Sequence, residues 1–180
     1  MAGYHVYILS SLPLLDFGRK APLRYEGFLS ACRGLVDEKE LLVLEGLPAW
    51  DRVSSLDAEG NLLSSWRLFE ISLRNELVKL RAARLQKDPA AYVRPEGFWD
   101  SGIIHTASNA IRQPILDAEK MMDEERWRRL DELCLGHYFD FDVLAAYALK
   151  LLILERWDRI ASADKERILE EALAGTKSGS

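Results

Sequence analysis

The chain has only two cysteines, Cys32 and Cys134, and only three histidines, His5, His105 and His137. Two thiols in 180 residues exclude a disulfide-dense secreted scaffold, and the expectation is two reduced, buried cysteines rather than a bridge. The cysteines lack a CxxC partner, and the histidines form neither HExxH nor the Glu-x-x-His pair of diiron bundles. Gly18, Gly27, Gly34 and Gly46 stand singly, so no glycine-rich phosphate loop is present. Ser10-Ser11, Ser54-Ser55 and Ser64-Ser65 have no nucleophile-elbow context. Positive charge is not in excess: Lys+Arg 24 against Asp+Glu 29 gives −5, which provides no global field for nucleic acid or anionic lipid. No apolar run reaches the roughly 20 residues a membrane span needs. The opening MAGYHVYILSSLPLL lacks the basic start of a secretory signal. These absences lead to an expectation of a cytoplasmic protein with no catalytic residue, no metal site and no cofactor.

What the chain does have is a strongly apolar centre. From Val143 to Leu154 every residue except Lys150 is apolar. Asp140–Ile160 contains no Gly or Pro and is rich in Leu and Ala, which favours a helix over a buried strand. Asp140 and Asp142 suit its N-terminus, and Arg156 and Arg159 suit its C-terminus. A helix that is apolar nearly all round belongs in a core, with other helices packed around it.

Those other helices are readable from spacing and breakers. Tyr4–Leu15 is short and allows either a helix or a strand, ended by Pro13. Leu23–Leu35 places Tyr25, Phe28, Leu29, Cys32 and Leu35 at three- and four-residue steps. Asp37–Leu44 reads as a short helix closed by Gly46 and Pro48, and Pro48–Gly60 as a long connection. Asn61 caps a helix over Leu62–Gln86, about 37 Å long, with a stripe of Leu62, Trp66, Phe69, Leu73, Leu77 and Leu80. Asp88-Pro89 starts a short helix. Phe98–Gln113, with Trp99, Ile103, Ala107, Ala110 and Ile111 on one side, and Leu116–Leu133 follow. Ser162 or Asp164 caps a separate final helix over Asp164–Leu173. The fold class is therefore mainly α, a helical bundle of about seven or eight helices. It forms a single domain over residues 1–174 with a disordered tail over 175–180 and room for a short N-terminal strand.

Two features suggest partner binding. Arg67, Arg74 and Arg81 recur every seven residues off the apolar stripe, with Arg84 one step further. They could meet an acidic partner or phosphates; a solvated helix face is the plainer alternative. Glu70, four residues before Arg74, can pair with it. Of the five tryptophans, Trp66 and Trp157 read as core, whereas Trp50 lies in the irregular loop and is the best candidate for an exposed contact. His137 beside Asp140 and Asp142 is the nearest approach to a ligand cluster, and a loop histidine next to a helix cap is the plainer explanation.

Several stretches together resemble a known family. YHVYILSSLPLLDFGRKAP, LRNELVKLRAARLQKDP, RWRRLDEL and FDFDVLAAYALKLLILERW resemble motifs of small uncharacterised bacterial proteins encoded beside the genes of V/A-type ATPases. That family is in turn similar to the C-type component of V/A-type ATPases (d-type in eukaryotes), an all-α funnel of three lobes without catalytic residues. The resemblance implies a non-enzymatic subunit or assembly factor whose partners are the central-stalk and rotor-ring proteins. It also implies contact with the inner membrane only through protein, and no nucleic-acid binding. The chain is long enough for at most two such lobes. The alternatives are a helical adaptor with an unrelated partner, and a hydrolytic or metal enzyme using His105 or His137 with nearby carboxylates.

Overall fold

The apolar stretch after Asp140 forms a helix, and a longer one than its spacing predicts. In the computed structural model, which describes residues 2–49 and 61–177, helix α7 runs from Phe141 to Lys177 without a break. The expected separate helix after Ser162 is therefore the continuation of α7. Ser162 shows why: its hydroxyl donates back to the Asp158 carbonyl at 2.8 Å, a bond compatible with continued helix, instead of capping a new one. The helix also includes residues 175–177 of the expected tail, and residues 178–180 lie outside the described ones.

Among the described residues, six further α-helices pack with it into the bundle: α1 (Ala2–Ser11), α2 (Tyr25–Cys32), α3 (Glu38–Gly46), α4 (Asn61–Arg84), α5 (Ser101–Ala110) and α6 (Ile115–Leu133). Short 3-10 turns cover Leu47–Ala49 and Pro89–Ala91. Among the described residues there is no strand, so the protein is a mainly-α bundle. The N-terminal stretch that allowed a strand is α1. Its Ile8 is fully buried while Tyr7 and Val6 face solvent, so one face is anchored to the core, as a terminal helix requires.

Helix α7 touches α1, α2, α3, α4 and α6, whereas α5 packs against α4 and α6. Leu144, Ala145, Ala148 and Leu151 of α7 are fully buried. The small residues among them let neighbouring helices approach closely. Phe28, Leu44, Leu62, Leu63, Phe69 and Leu130 complete the core from α2, α3, α4 and α6. In α4 the expected stripe holds for Leu62, Trp66, Phe69 and Leu73, while Leu77 and Leu80 are only half-buried.

Polar groups set how the outer helices attach. The Tyr25 N–H at the start of α2 donates to Glu155 at 2.8 Å, and the Ala21 N–H in the segment before it donates to Asp158 at 3.1 Å, so carboxylates of α7 hold the head of α2 and the chain leading into it. Tyr25 Oη donates to the Leu44 carbonyl at 2.7 Å and ties α2 to α3. Asp37 and Glu40 form a capping box at the head of α3. Gly34, at φ 77°, turns the chain between α2 and α3.

The connection from α4 to α5 departs most from sequence expectation. Asp88 caps the 3-10 turn through Ala90, as its Asp-Pro signature predicts. Helix α5, however, begins at Ser101 rather than Phe98, because Asp100 accepts from the N–H groups of Gly102 and Ile103 at 2.8 and 3.1 Å. Trp99 therefore lies outside the helix and is 78% exposed, not packed beside Ile103 as its spacing suggests. Residues 94–98 are strapped to α4 by two buried polar side chains. Asn75 Oδ1 accepts from the Arg94 N–H at 2.9 Å, and its Nδ2 donates to the Arg94 carbonyl at 2.8 Å. Ser72 Oγ accepts from the Phe98 N–H at 2.9 Å. A Cβ at Gly97 would stand 2.5 Å from Asn75 Nδ2, so only glycine permits this approach.

Leu151 is the position at which the central role of α7 is most directly tested, since it is fully buried. Leu151→Asp places an unpaired carboxylate in the core at a cost of several kcal/mol, against a typical total of about 5–15 kcal/mol. The variant is expected to lose its cooperative urea transition by circular dichroism. A retained transition with an unchanged midpoint would show that α7 does not organise the fold.

Candidate functional site

The densest polar constellation lies where α4, α6 and α7 meet. Asp123 of α6 is 1% exposed, an uncommon position for a carboxylate unless it is paired. It is paired on both oxygens. Arg126 Nη1 donates to Oδ1 at 2.9 Å, and Trp157 Nε1 donates to Oδ2 at 2.8 Å. Arg156 also reaches Oδ2, with Glu119 3.5 Å away on its outer side. Arg126 in turn grips Glu70 of α4 with both Nε and Nη2, at 2.6 and 3.3 Å. Burial alone would push the Arg126 guanidinium down, but Glu70 and Asp123 outweigh it and hold the group above its ordinary value.

This network borders a cleft of about 240 Å3, with Leu47, Trp66 and Leu152 among its apolar walls. Arg74, Arg126 and Arg156 supply its cations, and Glu70 and Asp123 its anions. The charges nearly balance, so the network joins three helices more than it attracts a free anion. Arg74 stands 3.9 Å from Glu70, as the four-residue spacing anticipates, but the stronger partner of Glu70 is Arg126, 56 residues away.

The expected arginine row is thereby divided. Arg67, Arg81 and Arg84 are exposed, whereas Arg74 turns into the cleft. Trp50 lies outside the described residues. Trp66 is buried, and Trp157 packs against the core with its N–H spent on Asp123. Asp123 and Arg126, the centre of the network, escaped sequence reading. Both lie in the charged run DEERWRR, whose spacing alone does not say which of its charges is buried. Arg129, from the same run, lies 5.9 Å from the Phe69 ring and 5.8 Å from the Phe98 ring. Those rings offer its cation the faces it prefers.

His5 of α1 meets Glu40 of α3 at 3.1 Å, and His105 is exposed beside Asn109. Cys32 is fully buried, and burial pushes its thiol up to about 11. Cys134 is half-buried and also raised, again chiefly by burial. His137 Nδ1 contacts Asp140 at 2.6 Å and lies 3.8 Å from Asp142. Asp140 also accepts from the Val143 N–H at 3.1 Å and so caps α7. Asp142 takes the Leu62 N–H at the head of α4. Two helix N-termini and two carboxylates thus share one joint, and His137 offsets the repulsion between the acids. Among the described residues, no group of three His, Cys, Asp or Glu side chains is placed to hold a metal ion.

Asp123→Ala is expected to destabilise the protein by about 3–5 kcal/mol, because Arg126 stays largely buried and loses one of its two counter-charges, and the Trp157 N–H loses its acceptor. Urea denaturation checks this; a loss comparable to an exposed pair, about 0–1 kcal/mol, would remove the network from the framework. A second expectation concerns pH. The Asp140 hydrogen bond holds His137 above its ordinary 6.5. The folded chain therefore binds this proton more tightly than the unfolded one. The resulting stability is fully present below the unfolded pKa and is lost as pH rises through the folded pKa. The melting-temperature advantage of wild type over His137→Ala is thus expected to be largest near pH 5 and to shrink toward about pH 8. An advantage that grows with pH would contradict the pairing.

Comparison with known proteins adds one finding. Residues 103–179, which span α5 from Ile103 through α6 and the whole of α7, match a family described as "Protein of unknown function (DUF2764)". The match includes Asp123, Arg126, Arg156 and Trp157 but not Glu70. No curated protein and no solved structure matches the chain.

Proposed function

We propose that this protein is a non-enzymatic, all-helical coupling or assembly subunit of a V/A-type ATPase. The observation that carries the reading is the resemblance of its four quoted stretches to proteins encoded beside that ATPase. The all-α architecture is compatible with it. So is the way the side chains considered for chemistry are used: His5, His137, Asp140 and Asp142 tie helix ends together. A protein that transmits force or templates assembly needs stiff helices and fixed surfaces, and the Glu70–Arg126–Asp123–Arg156 chain cross-links α4, α6 and α7.

In this reading the membrane is met through protein. No helix among the described residues is long and apolar enough to cross a bilayer. Exposed Arg81 and Arg84 lie at the C-terminal end of α4, where an acidic surface of the stalk or rotor ring can reach them.

Tagged protein expressed in cells with an assembled V/A-type ATPase is expected to fractionate partly with membranes, to be released when the peripheral sector is stripped, and to recover ATPase subunits. Purified alone, it is expected to ignore protein-free liposomes. The double variant Arg81→Glu/Arg84→Glu should keep its melting temperature within a few degrees, since exposed charges contribute about 0–1 kcal/mol each, and recover less of the complex. A wholly cytosolic distribution in such cells, or liposome binding at ordinary salt, would overturn the reading. Equal recovery by wild type and variant would return the arginines to a solvated face.

A further inference from the structure

A cleft of about 580 Å3 opens between the chain leading into α2 and the second half of α7. Three cations line it: Lys20 and Arg24 from the first segment and Arg159 from α7. Among the described residues, none of the three has an ion-pair partner. Arg159 makes one bond, from Nε to the Glu155 carbonyl at 3.4 Å within its own helix. Acids are at hand, since Glu155 and Asp158 line the same cleft. Their bonds go to the backbone instead: Glu155 accepts from the Tyr25 N–H and Asp158 from the Ala21 N–H.

The cleft beside Asp123 has the opposite arrangement. There Arg126 and Arg156 are committed to carboxylates, and the paired charges hold helices together. Here cations from two distant parts of the chain converge on one concave surface and stay uncommitted. In a chain that carries −5, this is a local excess of the minority charge, and it draws anions to this point.

The polar groups of the cleft are also sorted by kind. Lysine and arginine only donate, and an ionised carboxylate only accepts. The Ser162 hydroxyl already donates to the Asp158 carbonyl at 2.8 Å, so toward the cleft it too accepts. The lining therefore offers cations for an anionic group and acceptors for hydroxyls. A bare inorganic anion uses the first set and is repelled by the carboxylates of the second. A neutral sugar uses the second set and leaves the cations idle. The volume lies in the range of small-molecule sites, and Pro22 and Leu23 supply an apolar wall.

We propose that this cleft binds a small phosphorylated sugar, free or as the sugar phosphate of a nucleotide. Lys20, Arg24 and Arg159 take the phosphate, which guanidinium groups match in geometry. Glu155, Asp158 and Ser162 take the sugar hydroxyls. The site does not depend on the ATPase reading, and either can fail without the other.

Isothermal titration calorimetry of the full chain tests it, with ribose 5-phosphate and AMP as probes and inorganic phosphate and ribose as controls. At least one probe is expected to bind roughly tenfold more tightly than either control. Arg159→Gln, on an exposed side chain, should weaken the tighter probe roughly tenfold. Arg24→Gln should do the same, and its side chain makes no capping bond to α2 that the change would remove. Arg112→Gln, an exposed arginine outside the cleft, should leave the affinity unchanged. Circular dichroism melting shows that each variant is folded, and Arg159→Gln carries the test alone if Arg24→Gln is not. Absence of binding by both probes would overturn the proposal, as would inorganic phosphate binding as tightly as they do. So would an Arg112→Gln loss equal to that of Arg159→Gln, since the cations would then act only through net charge.

Discussion

Helix α7 imposes the constraint on which the rest of the structure depends. Its first half has almost no polar side, so it must be covered on all sides, and five helices touch it. Leu144, Ala145, Ala148 and Leu151 are removed from water entirely. Burial of this kind is non-directional, however: it favours any arrangement that hides the same area. By itself it would permit the surrounding helices to slide and rotate.

Directional bonds remove that freedom. Asp123 can satisfy Arg126, Arg156 and Trp157 together only at one relative placement of α6 and α7, and Arg126 extends the same demand to Glu70 on α4. A buried ion network of this kind contributes little net stability compared with an apolar replacement, because desolvation offsets the attraction. Its value here is geometric. The same logic applies at the other end of the bundle, where Asp140 and Asp142 each serve a different helix N-terminus and His137 bridges them.

Holding the helices rigidly has a consequence at the surface. Segments between helices can display apolar side chains without collapsing onto the core, because their backbones are tied elsewhere. The strap over residues 94–98 is bonded to Ser72 and Asn75, and leaves Trp99 in solvent. The segment after α1 is bonded through Pro13 to Tyr147 and leaves Leu14 in solvent. Both displays depend on polar bonds from side chains of α4 and α7.

The helical class, the central helix and most of the helix starts were legible in the residue pattern. These are local properties: a 3.6-residue apolar period, a capping aspartate, a proline or a glycine acts within a few neighbouring residues. Leu62, Trp66, Phe69 and Leu73 were legible as one buried stripe for that reason, and Asp88-Pro89 as a turn start. The rest came from packing between distant segments. Period could not separate helix from strand over so short a stretch as Tyr4–Leu15, and Ile8 settled it by its place against the core. Spacing put Trp99 on a helix face, but Asp100 took the cap and started α5 after it. Spacing also put Arg74 in a row with Arg67 and Arg81, while packing turned it into the cleft beside Glu70. Nor could the acidic run around Asp123 be told from a solvated face. Besides Arg126 on the same helix, its partners lie 33 residues ahead at Arg156 and 34 ahead at Trp157, and the bond from Arg126 to Glu70 spans 56. A one-dimensional pattern records which face of a helix is apolar. Which charge that face will meet is decided only when the helices are brought together.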